Sequence, residues 1–77
     1  MLDYKAIGAR VKKARQIEGI TQAELAELTD MSNTYISRIE TGAKKASLES
    51  LAKMSCILHI PIDVLVFGSD AHINQIK

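Results

Sequence analysis

Asn33, Thr34, Ser37 and Arg38 are the residues of this 77-residue chain whose side chains suit a specific chemistry. They lie close together in the run SNTYISRIETG. Ile36 and Ile39, three apart, mark the inward side of a helix there. The outward side is then Asn, Thr, Ser and Arg, rather than the Glu and Lys of an ordinary solvated face. Asparagine and arginine can pair bidentately with adenine and guanine edges in a major groove. The chemistry on offer is hydrogen-bond reading of a base sequence. No Ser-His-Asp set, phosphate loop, metal-ligand spacing or pair of carboxylates in an apolar setting accompanies it. An enzyme is not expected, and no cofactor is implied. His59, His72 and Cys56 are too few and too scattered for a metal site.

Such a face must be held by the elements before it. Thr21 and Glu24 have the spacing of a capping box, which starts a helix at Gln22. Leu25, Ala26 and Leu28 supply its apolar stripe. Asp30 tolerates a left-handed backbone better than most residues and can close that helix. Ser32 is a good N-cap for the next. Gly42 ends it. Two helices joined by a three- or four-residue turn make a helix-turn-helix.

Length and composition agree with a single small domain. A chain this short buries only about 60% of its unfolded surface, so its stability is marginal and dimerisation is a common remedy. Apolar residues make up 47%, which excludes disorder. Tyr4, Tyr35 and Phe67 are the only aromatics, too few for stacking single-stranded nucleic acid. The formal net charge is only +1, but it is segregated. Residues 1–20 carry Lys5, Arg10, Lys12, Lys13 and Arg15 against Asp3 and Glu18. Residues 21–31 carry only Glu24, Glu27 and Asp30. Residues 32–46 carry Arg38, Lys44 and Lys45 against Glu40. Two basic blocks thus flank the first of the two helices, as a phosphate-facing surface requires. A single cysteine permits no internal disulfide, which suits a reducing cytoplasm. No stretch is long and apolar enough to be a signal or a membrane span.

The remaining chain reads as support. Residues 3–18 form a first helix, capped by Asp3, with a stripe of Tyr4, Ile7, Val11, Ala14 and Ile17. Gly19 ends it. Lys12, Lys13 and Arg15 suit the helix dipole and equally suit phosphate contact. Residues 41–46 form a loop. Ser47 caps a fourth helix, whose core stripe is Leu48, Leu51, Ala52, Ser55 and Leu58, widened by Met54 and Ile57. Cys56 reads as a small packing residue, and His59 as a helix end. Pro61 starts a short fifth helix, Ile62 to Phe67, closed by Gly68. Ile60, Ile62, Leu65, Val66 and Phe67 exceed what one small core takes up. Together with Ile73 they suit a dimer interface. Residues 69–77 are a C-terminal tail, either covering that seam through Ile73 and Ile76 or disordered.

The run TQAELAELTDMSNTYISRIETG closely resembles the helix-turn-helix of the Cro and phage-repressor family of bacterial regulators. Its flanks, IGARVKKARQIEGI and SLESLAKMSCILHIPIDVLVFG, resemble the family too, so the likeness covers residues 5 to 68. The resemblance implies an all-α, five-helix lambda-repressor-like fold, with residues 1–68 as the DNA-binding domain and the helix-turn-helix at helices 2 and 3. It implies double-stranded DNA as partner, read by a homodimer on a palindromic operator. By the same resemblance, Asn33, Thr34 and Arg38 read bases. Arg15, Gln22, Ser32, Ser37, Lys44 and Lys45 approach phosphates. Arg15 also pairs with Glu40, and Gln22 braces the recognition helix. Tyr35 has two readings, a hydroxyl reaching a phosphate or a core ring with a wet tip. Asp30 departs from the family, which usually has glycine there. A different class of function fits the apolar C-terminal region: a protein-interaction module, such as an antitoxin binding a toxin or antagonist.

Overall fold

A side chain starts each of the first four helices. The Asp3 carboxylate accepts from the Ala6 N–H at 3.1 Å and opens α1 (Tyr4–Ile17). Thr21 and Glu24 close their box reciprocally at 3.0 and 2.9 Å and open α2 (Gln22–Thr29). Ser32 accepts from the Tyr35 N–H at 3.0 Å and opens α3 (Asn33–Thr41). Ser47 accepts from the Ser50 N–H at 3.1 Å and opens α4 (Leu48–Leu58). Each such cap is worth about 1 kcal/mol. The fifth helix, α5 (Ile62–Phe67), has no side-chain cap at Pro61. The computed structural model describes residues 2–68, and these five helices are its regular structure, with no strand among the described residues.

Three helix ends turn left-handed. Gly42 (φ 80°) ends α3, with its backbone packed 2.7 Å, from an added Cβ, against Lys5 Cα, so only glycine fits there. Asp30 ends α2 and His59 ends α4, both at φ 56° and ψ 42°. Neither is glycine, and both are strained by the Cβ.

The core draws on every helix. Ile7 and Val11 come from α1, Leu25 and Ala26 from α2, Ile36 and Ile39 from α3, Leu51, Met54 and Leu58 from α4, and Leu65 from α5. Gly8 sets the distance between α1 and α3. A methyl group at Gly8 would overlap the Ile39 carbonyl oxygen, so the two backbones touch where a side chain would stand.

Several stripe assignments fail. Ile17 is 73% exposed and Leu48 74%, because each stands at a helix end past the edge of the core. Leu28 is 57% exposed, since α2 turns Leu25, Ala26 and Thr29 inward and Leu28 outward. In α4 the buried arc is Ser50, Leu51, Met54 and Leu58, so Ala52 and Cys56 lie on the open side. Met54, expected only to widen the stripe, is its centre and fully buried.

Candidate nucleic-acid interface

The α3 helix divides into two faces. Ile36 and Ile39 are fully sunk in the core, and Glu40 is buried beside them. Asn33, Thr34 and Arg38 are exposed, and their side chains have no hydrogen bond or ion pair among the described residues. Ser37 is half-buried on the same side. Six consecutive helical positions, 33 to 38, therefore present three free polar groups on a backbone fixed from behind.

Glu40 is what stops the rotation. Its Oε2 lies 2.7 Å from Arg15 Nε and its Oε1 3.2 Å from Arg15 Nη2. Gln22 Nε2 donates to the same Oε1 at 3.0 Å. Arg15 Nη1 donates to the Ile20 carbonyl at 2.8 Å. One carboxylate thus collects a bidentate guanidinium from α1 and an amide from the start of α2. The side chains of Arg15 and Glu40 are 11% and 1% exposed. A pair this buried contributes to geometry more surely than to stability, because desolvation offsets much of the attraction. Arg15 is held inward on three of its nitrogens.

The C-terminal end of α3 is fixed as well. The Arg38 carbonyl accepts from the Ala43 N–H at 2.9 Å, the Lys44 N–H at 3.3 Å and the Thr41 hydroxyl at 3.2 Å. The backbone below the Arg38 side chain is therefore tied to the loop that carries Lys44 and Lys45. These lysines diverge. Lys44 Nζ sits 5.9 Å from the Tyr35 ring centre, on α3, while Lys45 Nζ sits 5.7 Å from that of Tyr4, on α1.

Tyr35 joins α3 to α4. Its hydroxyl is 3.0 Å from Ser50 Oγ and accepts from the Ser47 N–H at 3.4 Å. The Ser47 hydroxyl in turn donates to Ser50 Oγ at 2.8 Å. Burial pushes the Tyr35 phenol up, but the bonds from Ser50 and Ser47 and the charge of Lys44 outweigh it and bring the group below the ordinary phenol value. The hydroxyl is thus bonded to Ser50 and Ser47 at the tip of a half-buried ring.

Part of the apolar set at the C-terminal end lines a groove. An apolar groove of about 380 Å³ runs between the start of α1, the start of α4 and α5; Leu2, Tyr4, Leu48, Ile62, Val66 and Phe67 line it. Phe67 is 58% exposed, and Ile62 and Val66 are half-buried; Ile60, also half-buried, lies away from this groove, beside Arg10, Lys13 and Val64. Leu65 does not belong with them. It is fully buried in the chain's own core, the anchor of α5, and is closed to a second copy. Ile73 and the tail of residues 69–77 lie outside the described residues.

Two structural residues gave no sequence signal. Gly8 sits in mid-helix, where a glycine reads only as a weak helix former. Arg10 reads as one more surface cation, yet its Nη1 donates to the Leu65 and Val66 carbonyls at 3.2 and 2.9 Å. No group of histidine, cysteine or carboxylate residues among those described could hold a metal ion, and no helix is long and apolar enough to cross a membrane.

Comparison with known proteins gives a consistent picture. The helix-turn-helix family model matches residues 11–65. The ImmF control region 10 kDa protein of Bacillus phage phi105 is 35% identical over 65 residues, which are 84% of this chain and 72% of that one. The control protein C.BamHI of Bacillus amyloliquefaciens is 37% identical over 71 residues, covering 86% and 88%. Some relatives are longer: the chain spans 50% of the HTH-type transcriptional regulator ImmR of Bacillus subtilis, at 34% identity. Among solved structures, the P22 c2 repressor in complex with synthetic operator 9T superposes with a TM-score of 0.78 at 30% identity, covering 82% of this chain and 96% of that one.

Proposed function

The chain belongs to the helix-turn-helix family of Cro/C1-type DNA-binding transcription regulators, and from that premise we propose that it binds a palindromic operator as a homodimer in the cytoplasm. Residues 1–68 are the DNA-binding domain in this reading. Asn33, Thr34 and Arg38 face the bases, with Arg38 on guanine and Asn33 on adenine. Ser37 and Lys44 face phosphates, and Gln22 and Ser32 do so with the donor capacity left beside their bonds to Glu40 and to the Tyr35 N–H. The observation that carries the proposal is the division of α3: three polar side chains free of internal partners, on a helix locked from behind through Glu40. A free donor on a fixed backbone loses little entropy when it meets a base, which favours reading over mere attraction.

Within this reading Lys44 counts for more than Lys45, because Lys44 stands over a ring of the recognition helix and Lys45 over α1. Arg15 and Tyr35 act from behind, since their polar atoms are taken up by Glu40, Ile20, Ser47 and Ser50. The second copy meets this one along the groove of Leu48, Ile62, Val66 and Phe67. Two recognition helices then enter successive major grooves about 34–36 Å apart.

Selection from random duplex DNA at about 150 mM salt tests this. A two-fold symmetric consensus, with half-sites one helical turn apart, is the expected result. An asymmetric consensus would remove the dimer and keep the reading head. No consensus, with weak and strongly salt-sensitive binding, would overturn the base-reading assignment.

A second reading rests on the same groove. Its exposed leucine and phenylalanine equally suit a toxin or antagonist protein. A monomer in solution that gains a partner protein on this face would favour it. A tight homodimer that covers Leu48 and Phe67 would exclude it.

A further inference from the structure

The α5 helix lacks the means to hold itself in place. It has six residues, too few for a helix to persist alone. It has no side-chain cap at its start, unlike the four helices before it. Leu65 is its one fully buried residue, with Ile62 and Val66 packed half-buried against the core. Yet it carries Ile62, Val66 and Phe67, the wall of the apolar groove.

A side chain fifty-five positions away supplies what is missing. Arg10 leaves α1 and sends Nη1 to the carbonyls of Leu65 and Val66, the last turn of α5. These are orphan acceptors of a helix end, and a guanidinium there satisfies two of them and opposes the helix dipole. The backbone at Gly68 closes over the same group: a Cβ at Gly68 would come within 3.2 Å of Arg10 Nη2. The Gly68 N–H completes the end by donating to the Val64 carbonyl at 2.7 Å. Charge-assisted bonds of this kind, half-buried, are among the stronger ones available to a surface helix.

We infer that Arg10 is a positioning residue for self-association: it holds the α5 wall of the groove in the orientation that a second copy meets. The inference rests on the proposal that the copies pair along α5. It separates Arg10 from the phosphate-facing cations, with which its charge alone would group it. It also makes pairing depend on a residue that lines no part of that groove.

The test uses the full chain with Arg10→Met, which keeps an apolar stem and removes the fork, and Arg10→Lys, which keeps one charged donor. Three quantities are measured: the dimer dissociation constant by sedimentation, amide exchange helix by helix, and affinity for a single operator half-site. Arg10→Met should weaken the dimer about tenfold or more, the scale expected for losing charged hydrogen bonds. Exchange should quicken at Val66 to Gly68 and stay unchanged in α2 and α3. Half-site affinity should not move, and Arg10→Lys should recover part of the dimer. A wild-type dimer that Arg10→Met leaves equally tight overturns the inference alone. Exchange that quickens equally in α2 and α3 also overturns it, since Arg10 would then support the whole domain. A wild-type chain that stays monomeric at every concentration overturns the pairing proposal, and this inference with it.

Discussion

Arg15 and Arg10 leave the same helix and end in different environments. Arg15 goes to a buried carboxylate on α3, in a network closed by Gln22 and Ile20. Arg10 goes to bare carbonyls on α5. The first arrangement fixes a helix that already has a cap, a left-handed end and two isoleucines in the core. The second holds a helix with one fully buried side chain and two half-buried ones. The recognition side is over-determined, and the α5 side is only just determined. The proposed base-reading role of α3 needs the former. The proposed apolar pairing along α5 tolerates the latter.

The contrast can be broken most forcefully at Glu40. Glu40→Ala leaves Arg15 charged and unpaired in the interior, which costs about 3–5 kcal/mol. In a domain this size that lowers the thermal midpoint by about 15 °C or more, as a calorimetric scan would show. The sharper variant is Arg15→Met with Glu40→Leu. It should recover most of the stability, because apolar replacements of buried ion pairs are often neutral. It should nonetheless lose operator affinity, because Gln22 loses its acceptor and the helix its bracing. If affinity returns with stability, the network does no more than fill space.

Gly8→Ala comes next. The added methyl meets the Ile39 carbonyl, and pushing α1 from α3 should cost about 1–3 kcal/mol in urea denaturation. Arg38→Ala should do the opposite. Stability should change by less than about 0.5 kcal/mol, while one base position of the selected site loses about 1–3 kcal/mol of discrimination. The smallest expected effect separates the two loop lysines. Lys44→Ala should lower the slope of log affinity against log salt by about 0.9, the value of one phosphate contact. Lys45→Ala should leave it nearly unchanged.

Legibility in the sequence follows the same contrast. The helix-turn-helix could be read because its signals are local. Thr21 and Glu24 cap within one turn, Ser32 and Ser47 do the same, and Gly42 ends α3 at its own position. Ile36 and Ile39 are enough to orient nine residues. The free face of α3 follows from that orientation. What escaped was decided at a distance. Leu48 and Ile17 have the right type and spacing for the core, but they stand past its edge. Leu65 and Phe67 are two apolar residues of one short run, and only the packing of α5 decides which is buried. The α4 arc of Leu, Met, Ser and Ala has no sharp boundary in sequence, so Ala52 passes for a core residue while the packing buries Ser50 and Met54. Gly8 and Arg10 each act through a partner at least thirty residues away, and no window along the chain contains both members.

Asp30 and His59 share one backbone conformation, φ 56° and ψ 42°, that glycine would adopt without a clash. Glycine at either position should therefore raise the unfolding free energy by about 1 kcal/mol, a change of about fivefold in the folded-to-unfolded ratio. Cellular proteases act on the unfolded fraction, and abundance follows it. A regulator's occupancy of its site depends on how many copies survive. Two residues with left-handed backbones, neither on α3, thus tune the folded fraction of the chain without touching its exposed polar face.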